Sequence, residues 1–331
     1  MCERALSDAV SEPIDVEAAA GVCSDIVDRV SEAVVADRTF LETVLAGMLA
    51  RGHVLVEDVP GTGKTLTAIA FADALGLEFN RIQFTPDLLP SDITGTHVYD
   101  EHDGTFRFQR GPVFANVVLA DEINRAPPKT QSALLEAMDE GQVSADGETF
   151  PLPEPFFVIA TQNPVEQEGT FRLPEAQRDR FVVEVSMGYP DRAGELELLE
   201  RRSNRTTTKP RVDSVVDAAT VNDLRGVPET VTVEPEVRGY LVDLARATRE
   251  DGRVAVGVSP RGIQRFYEAA RARAVVAGRS YVAPDDVKAV APAVLTHRLV
   301  LTDEASIRGV DPAAVVSAVL DTVEVPAATA D

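Results

Sequence analysis

A chain of 331 residues with 44% hydrophobic composition can bury two apolar interiors, which excludes disorder as its main state. Its 54 acids against 32 bases leave a formal charge of −22, and only Lys64, Lys129, Lys209 and Lys288 are lysines. Two readings compete: an acidic face that repels nucleic acid and favours basic partners, and, favoured by the spread of acids along the chain with lysine suppressed, adaptation to a halophilic cytoplasm, where salt screens such fields within a few ångströms and the charge says little about the ligand.

In chain order, residues 1–29, opening "MCERALSDAVSEPIDVEAAAG", are acidic and weakly periodic and read as a loosely packed leader. Acids stand where a signal peptide needs a basic start, and no run of eighteen apolar residues occurs, so a soluble cytoplasmic protein without a membrane segment is expected. Cys2 and Cys23 have no metal-like spacing and predict neither a disulfide nor a zinc site.

"HVLVED" is a short β-branched and aliphatic run, and "LTAIAFADALG" has helical spacing that ends at Gly76. Between them "PGTGKT" forms a glycine turn. Strand, glycine loop and helix in that order make a phosphate loop, in which backbone N–H groups and the positive helix end converge on phosphates. Pro60, Gly61, Thr62, Gly63, Lys64, Thr65 and Leu66 are therefore the predicted nucleotide-binding residues. Lys64 would reach the β- and γ-phosphates, and the Thr65 hydroxyl would ligate Mg²⁺. Asp58 stands where the strict pattern begins with glycine, and ordinary turn geometry away from the phosphates is expected of it.

The segments "HVYDEHDGTFRFQRG" and "GQVSADGETFPL" each place Asp-Gly between alternating apolar residues, which predicts two hairpins. His97 and His102 lie in the first among Asp100, Glu101 and Asp103; ligand spacing is missing, so a solvated hairpin is favoured over a metal site. Between the hairpins, "NVVLADEINRA" is a buried strand leading into Asp121 and Glu122. After a phosphate loop, Asp121 is placed to hold Mg²⁺ through water and Glu122 to polarise the attacking water. A third buried run, "PFFVIATQNP", ends in Thr161, Gln162 and Asn163, which could offer an amide to the γ-phosphate or equally form an Asn-Pro turn.

After "RFVVEVSMGYP" the composition shifts, and a second, all-helical domain is expected from near Tyr189. Its helix "SPRGIQRFYEAARARAVVAG" begins with Ser259 as N-cap and Pro260 at the first position, which predicts Arg261 at the edge nearest the nucleotide.

Together "GHVLVEDVPGTGKT", "QRGPVFANVVLADEINRAPPKTQSALLEAMDEGQV", "FFVIATQNPVEQEGTFRLPEAQRDRF" and "SPRGIQRF" resemble the AAA+ ATPases, and within them the MoxR family, from about Val30 to about Asp321. The resemblance implies an α/β core of parallel sheet between helices (residues 30–188), a small all-α lid (189–322) and a tail (323–331). It implies ATP hydrolysis with Mg²⁺, Asn163 as sensor 1, Arg180 as an arginine finger reaching a neighbour's site, and Arg261 as sensor 2 on the γ-phosphate. Arg178 competes with Arg180, although a solvated helix arginine is the plainer account of it. A homo-oligomeric ring, expected to be a hexamer, and a protein client follow, the client being a von Willebrand A domain protein or an acceptor of a metal cofactor. The segment "FTPDLLPSDITGTHVYD" resembles an insertion within helix 2 and "GQVSADGETFPLPEP" a hairpin before sensor 1, elements that line the pore or upper face of such rings, so both are candidates for partner contact and equally for a purely structural role. A magnesium-chelatase-like subunit, a nucleic-acid motor or loader and a nucleotide-gated scaffold remain alternatives; no basic stripe or aromatic platform supports the motor.

Overall fold

A computed structural model describes residues 14–163, 170, 171, 173–204 and 210–326; Cys2, the start of the expected leader and the end of the expected tail lie outside them. Helices α1 (Val16–Ala33) and α2 (Arg38–Leu49) precede β1 (His53–Glu57), α3 (Lys64–Ala74) and β2 (Phe79–Gln83). The short α4 (Pro90–Thr94) leads into β3 (Gly95–Asp100), β4 (Thr105–Arg110) and β5 (Val117–Asp121). Then come α5 (Pro128–Glu140), β6 (Gln142–Ala145), β7 (Glu148–Pro151), β8 (Phe157–Gln162), α6 (Glu175–Arg178) and β9 (Phe181–Val185).

Five strands form one sheet in the order β2-β5-β8-β1-β9, and every pairing in it is parallel. Strands covered on both faces need no alternation, which is why "HVLVE" and "VVLAD" read as continuous apolar runs. The edge where the strands end carries the loop after β1 and the two acids at the end of β5, Asp121 and Glu122. Its opposite edge is fixed partly by His53, whose Nδ1 accepts from Val158 N at 3.0 Å while Nε2 donates to Met138 O at 3.1 Å. Burial lowers the His53 pKa to about 4, so the ring stays neutral there. Gly52 permits the close approach of β1 and β9, because a Cβ there would stand 1.9 Å from Val182 Cγ2.

The leader reading is corrected by α1. Asp15 caps it, and Ala19, Cys23, Ile26, Val27 and Val30 are buried in the main core. Those positions follow the three- and four-residue spacing of one helix face, masked in sequence by alanine and by acids on the exposed side. Cys23 is a core residue, its thiol pushed up to about 12 by desolvation.

Beyond β9 lie α7 (Arg192–Asn204), α8 (Ala218–Leu224), α9 (Pro235–Glu250), β10 (Val254–Val256) and α10 (Pro260–Val276). They are followed by α11 (Pro284–Leu295), β11 (Val300–Leu301), α12 (Asp303–Ile307) and α13 (Pro312–Thr322). This part is helical as expected, with one short antiparallel ladder, β10–β11, that the periodicity did not suggest. Arg298 ties it to the sheet: Nε donates to Asp179 Oδ1 at 2.8 Å and Nη2 to Phe181 O at 2.6 Å. Burial lowers its pKa to about 10, opposed by Asp179, which leaves the guanidinium charged.

Both hairpins are present, β3–β4 and β6–β7, with positive φ at Gly104 and at Asp146-Gly147. They stack on each other through Phe108 and Phe150, whose rings lie 3.9 Å apart, and His97 bridges them by a 2.8 Å contact to Asp146 Oδ2. Among the described residues no group of three or more His, Cys, Asp or Glu gathers as a metal site.

Candidate nucleotide site

Gly61 and Gly63 have φ of +88° and +107°, values that side chains rarely adopt, and they wrap the loop around the first turn of α3. Pro60, Gly61, Gly63, Lys64, Thr65 and Leu66 line one cleft of about 370 Å³ with Asp121, Glu122, Thr161, Gln162 and Asn163. Thr62 belongs to the same loop, but its hydroxyl turns back to Val59 O at 3.3 Å. Lys64 Nζ donates to the carbonyls of Asp58 and Val59 at 2.7 and 2.8 Å, so it bends across the loop it would leave for a phosphate. Desolvation lowers its pKa, opposed by Asp58, Asp121 and Glu122.

The acids are braced from neighbouring strands. Thr161 on β8 donates to Asp121 Oδ1 at 2.7 Å and accepts from Glu122 N at 2.8 Å. Arg81 on β2 places Nε and Nη2 on Asp121 Oδ2, at 3.0 and 2.5 Å. Glu122 has φ +57°, a left-handed conformation costing about 1 kcal/mol or more for a non-glycine residue. Its Oε2 accepts from Gln83 Nε2 at 2.8 Å and from Arg125 Nη1 at 2.9 Å. The Thr65 hydroxyl and the Asp121 carboxylate supply only oxygen donors beside Lys64, a set that fits Mg²⁺ carried on nucleotide phosphates.

Asp58 does more than turn the chain. Oδ1 accepts from Val59 N at 2.8 Å, and Oδ2 accepts from Met187 N and Gly188 N at 2.9 and 2.8 Å, tying the loop to the segment that leaves β9. Asp58→Gly, which restores the strict motif, is therefore expected to destabilise the protein by about 2–4 kcal/mol, since three charge-assisted bonds are lost. A urea melt read by circular dichroism measures this; an unchanged midpoint refutes the tie.

Arg180 and Arg261 do not line the cleft. Arg180 immediately precedes β9, and Phe181 pairs with His53, so it sits at the opening edge of the strands. The phosphate loop leaves their far edge, a separation of about 13 Å along β1 at ~3.3 Å per residue. The placement expected for Arg261, at the edge nearest its own nucleotide, is corrected: its Nη2 donates to Asp139 Oδ1 at 2.9 Å, near the end of α5. Arg180 Nε stands 2.7 Å from Asp139 Oδ2, an ion pair whose N–H does not align as a hydrogen bond. The helix cap reading was sound, as Ser259 Oγ accepts from Gly262 N at 3.0 Å, but α10 packs on α1 and α2 and brings its first turn to Asp179 rather than to the loop. Arg178 is occupied by Glu184 at 2.8 Å.

Arg81, Gln83 and Arg125 escaped the sequence reading. Gln83 and Arg81 lie on a strand defined by its pairing with β5, which places Gln83 opposite Asp121, and only that pairing reveals them.

Residues 53–183 match the sequence profile of the ATPase family associated with various cellular activities (AAA), and residues 246–319 match that of the AAA lid domain. The chain is 45% identical over 307 residues to Chaperone MoxR1 of Mycobacterium tuberculosis, covering 90% of this chain and 81% of that one. It is 33% identical to Protein MoxR of Methylorubrum extorquens, covering 82% of this chain and 86% of that one. The crystal structure of a candidate ATPase from Cytophaga hutchinsonii superposes with a TM-score of 0.86 at 40% identity, covering 93% of this chain and 96% of that one.

Proposed function

The chain belongs to the MoxR family of AAA+ ATPases and hydrolyses ATP, and from that premise we propose that it works as a homo-oligomeric ring, hexameric in form, that remodels or matures a protein client. The observation carrying this reading is the division of the chemistry between two edges of one sheet. The phosphate loop, Asp121, Glu122 and Asn163 share a cleft, while Arg180 and Arg261 stand together at the other edge. A head-to-tail contact between copies brings the arginines of one to the cleft of the next.

In this mechanism the loop amides and Lys64 hold the β- and γ-phosphates. Thr65, with Asp121 through water, would hold Mg²⁺, and the ion would supply positive charge to offset that of the nucleotide phosphates. Glu122 takes a proton from the attacking water, Asn163 orients that water or the γ-phosphate, and the neighbour's arginines meet charge as it develops on the equatorial oxygens. Phosphate then leaves and ADP remains. Asp179, the residue before Arg180, accepts from Arg298, so loss of the γ-phosphate next door would be felt by the tie between lid and sheet.

Client contact is assigned to the stacked hairpins, where Phe106 and Tyr99 are 70% and 53% exposed. The name Chaperone MoxR1 supports a protein client. A von Willebrand A domain or a metal-accepting protein is the class we favour, acting in a cytoplasm of high salt, in line with the acid surplus and scarce lysine. The core up to residue 188, with α1 (Val16–Ala33) belonging to it, and the lid 189–322 are the proposed moving units.

The test is dilution. Specific ATPase activity is expected to fall as the ring dissociates, tracked by mass photometry on the same samples. Full specific activity from a strictly single-chain particle overturns the reading.

A further inference from the structure

Asp139 lies in the last turn of α5, where the helix dipole disfavours a negative charge, so helix stability does not explain it. Two guanidinium groups do. Arg180, just before β9, approaches Oδ2 at 2.7 Å, and Arg261, in the first turn of α10, donates to Oδ1 at 2.9 Å. The two arginines come from different domains and carry like charge, so without a shared anion they repel each other. A carboxylate presents two oxygens much as a phosphoryl group does, which is why guanidinium forks take either. Each guanidinium has five N–H donors, so engaging one carboxylate oxygen leaves donors for an incoming phosphate.

We propose that Asp139 is a positioning residue that sets Arg180 and Arg261 as one phosphate-reading unit before the neighbouring nucleotide arrives. The inference rests on the reading that both arginines serve the next subunit's site. Asp139 touches neither substrate nor water; it fixes where the two guanidinium groups stand, so they need no reorganisation as charge develops.

The experiment uses the assembled protein with ATP and Mg²⁺. Asp139→Asn is isosteric and the Asp139 side chain is 24% exposed, so folding is retained, checked by a thermal melt. We expect kcat to fall roughly 10- to 100-fold, the loss typical of a group displaced by about an ångström. KM for ATP should stay equal or fall, because the arginine edge becomes more positive. Asp139→Glu should recover most of the rate. Mixing supplies the readout that a merely structural role would not give. Asp139→Asn with Glu122→Gln should regain turnover, since one copy offers an intact cleft and the other an intact arginine edge. Asp139→Asn with Arg180→Ala should not, both defects lying on the same edge. Unchanged or raised kcat in Asp139→Asn, or recovery with Arg180→Ala, overturns the inference. If Arg180→Ala itself keeps full turnover, the parent reading fails; if it loses turnover while Asp139→Asn keeps it, only this inference does.

Discussion

Glu122→Gln is expected to bind ATP with little change and to lose turnover by about 10²–10⁴-fold, the contribution typical of a positioned general base. The substitution keeps length and shape. What it removes is basicity, in a side chain held by Gln83 and Arg125 on Oε2 and set by a left-handed backbone turn at the end of β5. The phosphate loop is untouched, so binding persists. By contrast Lys64→Ala removes the cation whose Nζ sits over the loop carbonyls, and with it nucleotide affinity. Fluorescent-nucleotide titration and phosphate release, measured on the same preparation, separate the two outcomes. Undiminished hydrolysis in Glu122→Gln would remove it as the water-activating group. The same protein loaded with ATP would also trap the proposed client, because the bound state decays that much more slowly.

The parts of this site legible in the sequence are those written in consecutive residues. A phosphate loop needs its glycines, lysine and threonine at fixed spacing, and the acids of β5 announce themselves as charges ending an apolar run. What stayed hidden depends on pairing between segments distant in sequence. Arg81 and Gln83 matter because β2 lies beside β5, and Asp58 matters because Met187 and Gly188 return to it from β9. For α1 the obstacle was different: a face of Ala19, Cys23, Ile26, Val27 and Val30 is too small-sided and too interrupted by acids to stand out before its partners are known. Arg261 shows the limit most plainly. Its cap and helix were correctly read, but its placement was set by how the second domain docks, through Arg298 on Asp179 and α10 on α2. No local pattern carries that information.

Arg180→Ala is expected to bind ATP normally and to lose turnover by about 10³–10⁵-fold, the range for an arginine supplied to a phosphoryl-transfer site. Normal binding follows from its position, at the strand edge away from the cleft formed by its own Lys64 and Asp121. The decisive measurement mixes this protein with Glu122→Gln, each inactive alone. At equal ratio and random assembly about a quarter of head-to-tail interfaces pair an intact Glu122 with an intact Arg180. Activity should rise to roughly that fraction of the unmodified rate if interfaces fire independently. A smaller recovery means that adjacent sites are coupled, whereas none at all counts against an arginine acting on the neighbour. An arginine acting within its own subunit could not give recovery in any proportion, because then every active site would still lack one of its two groups.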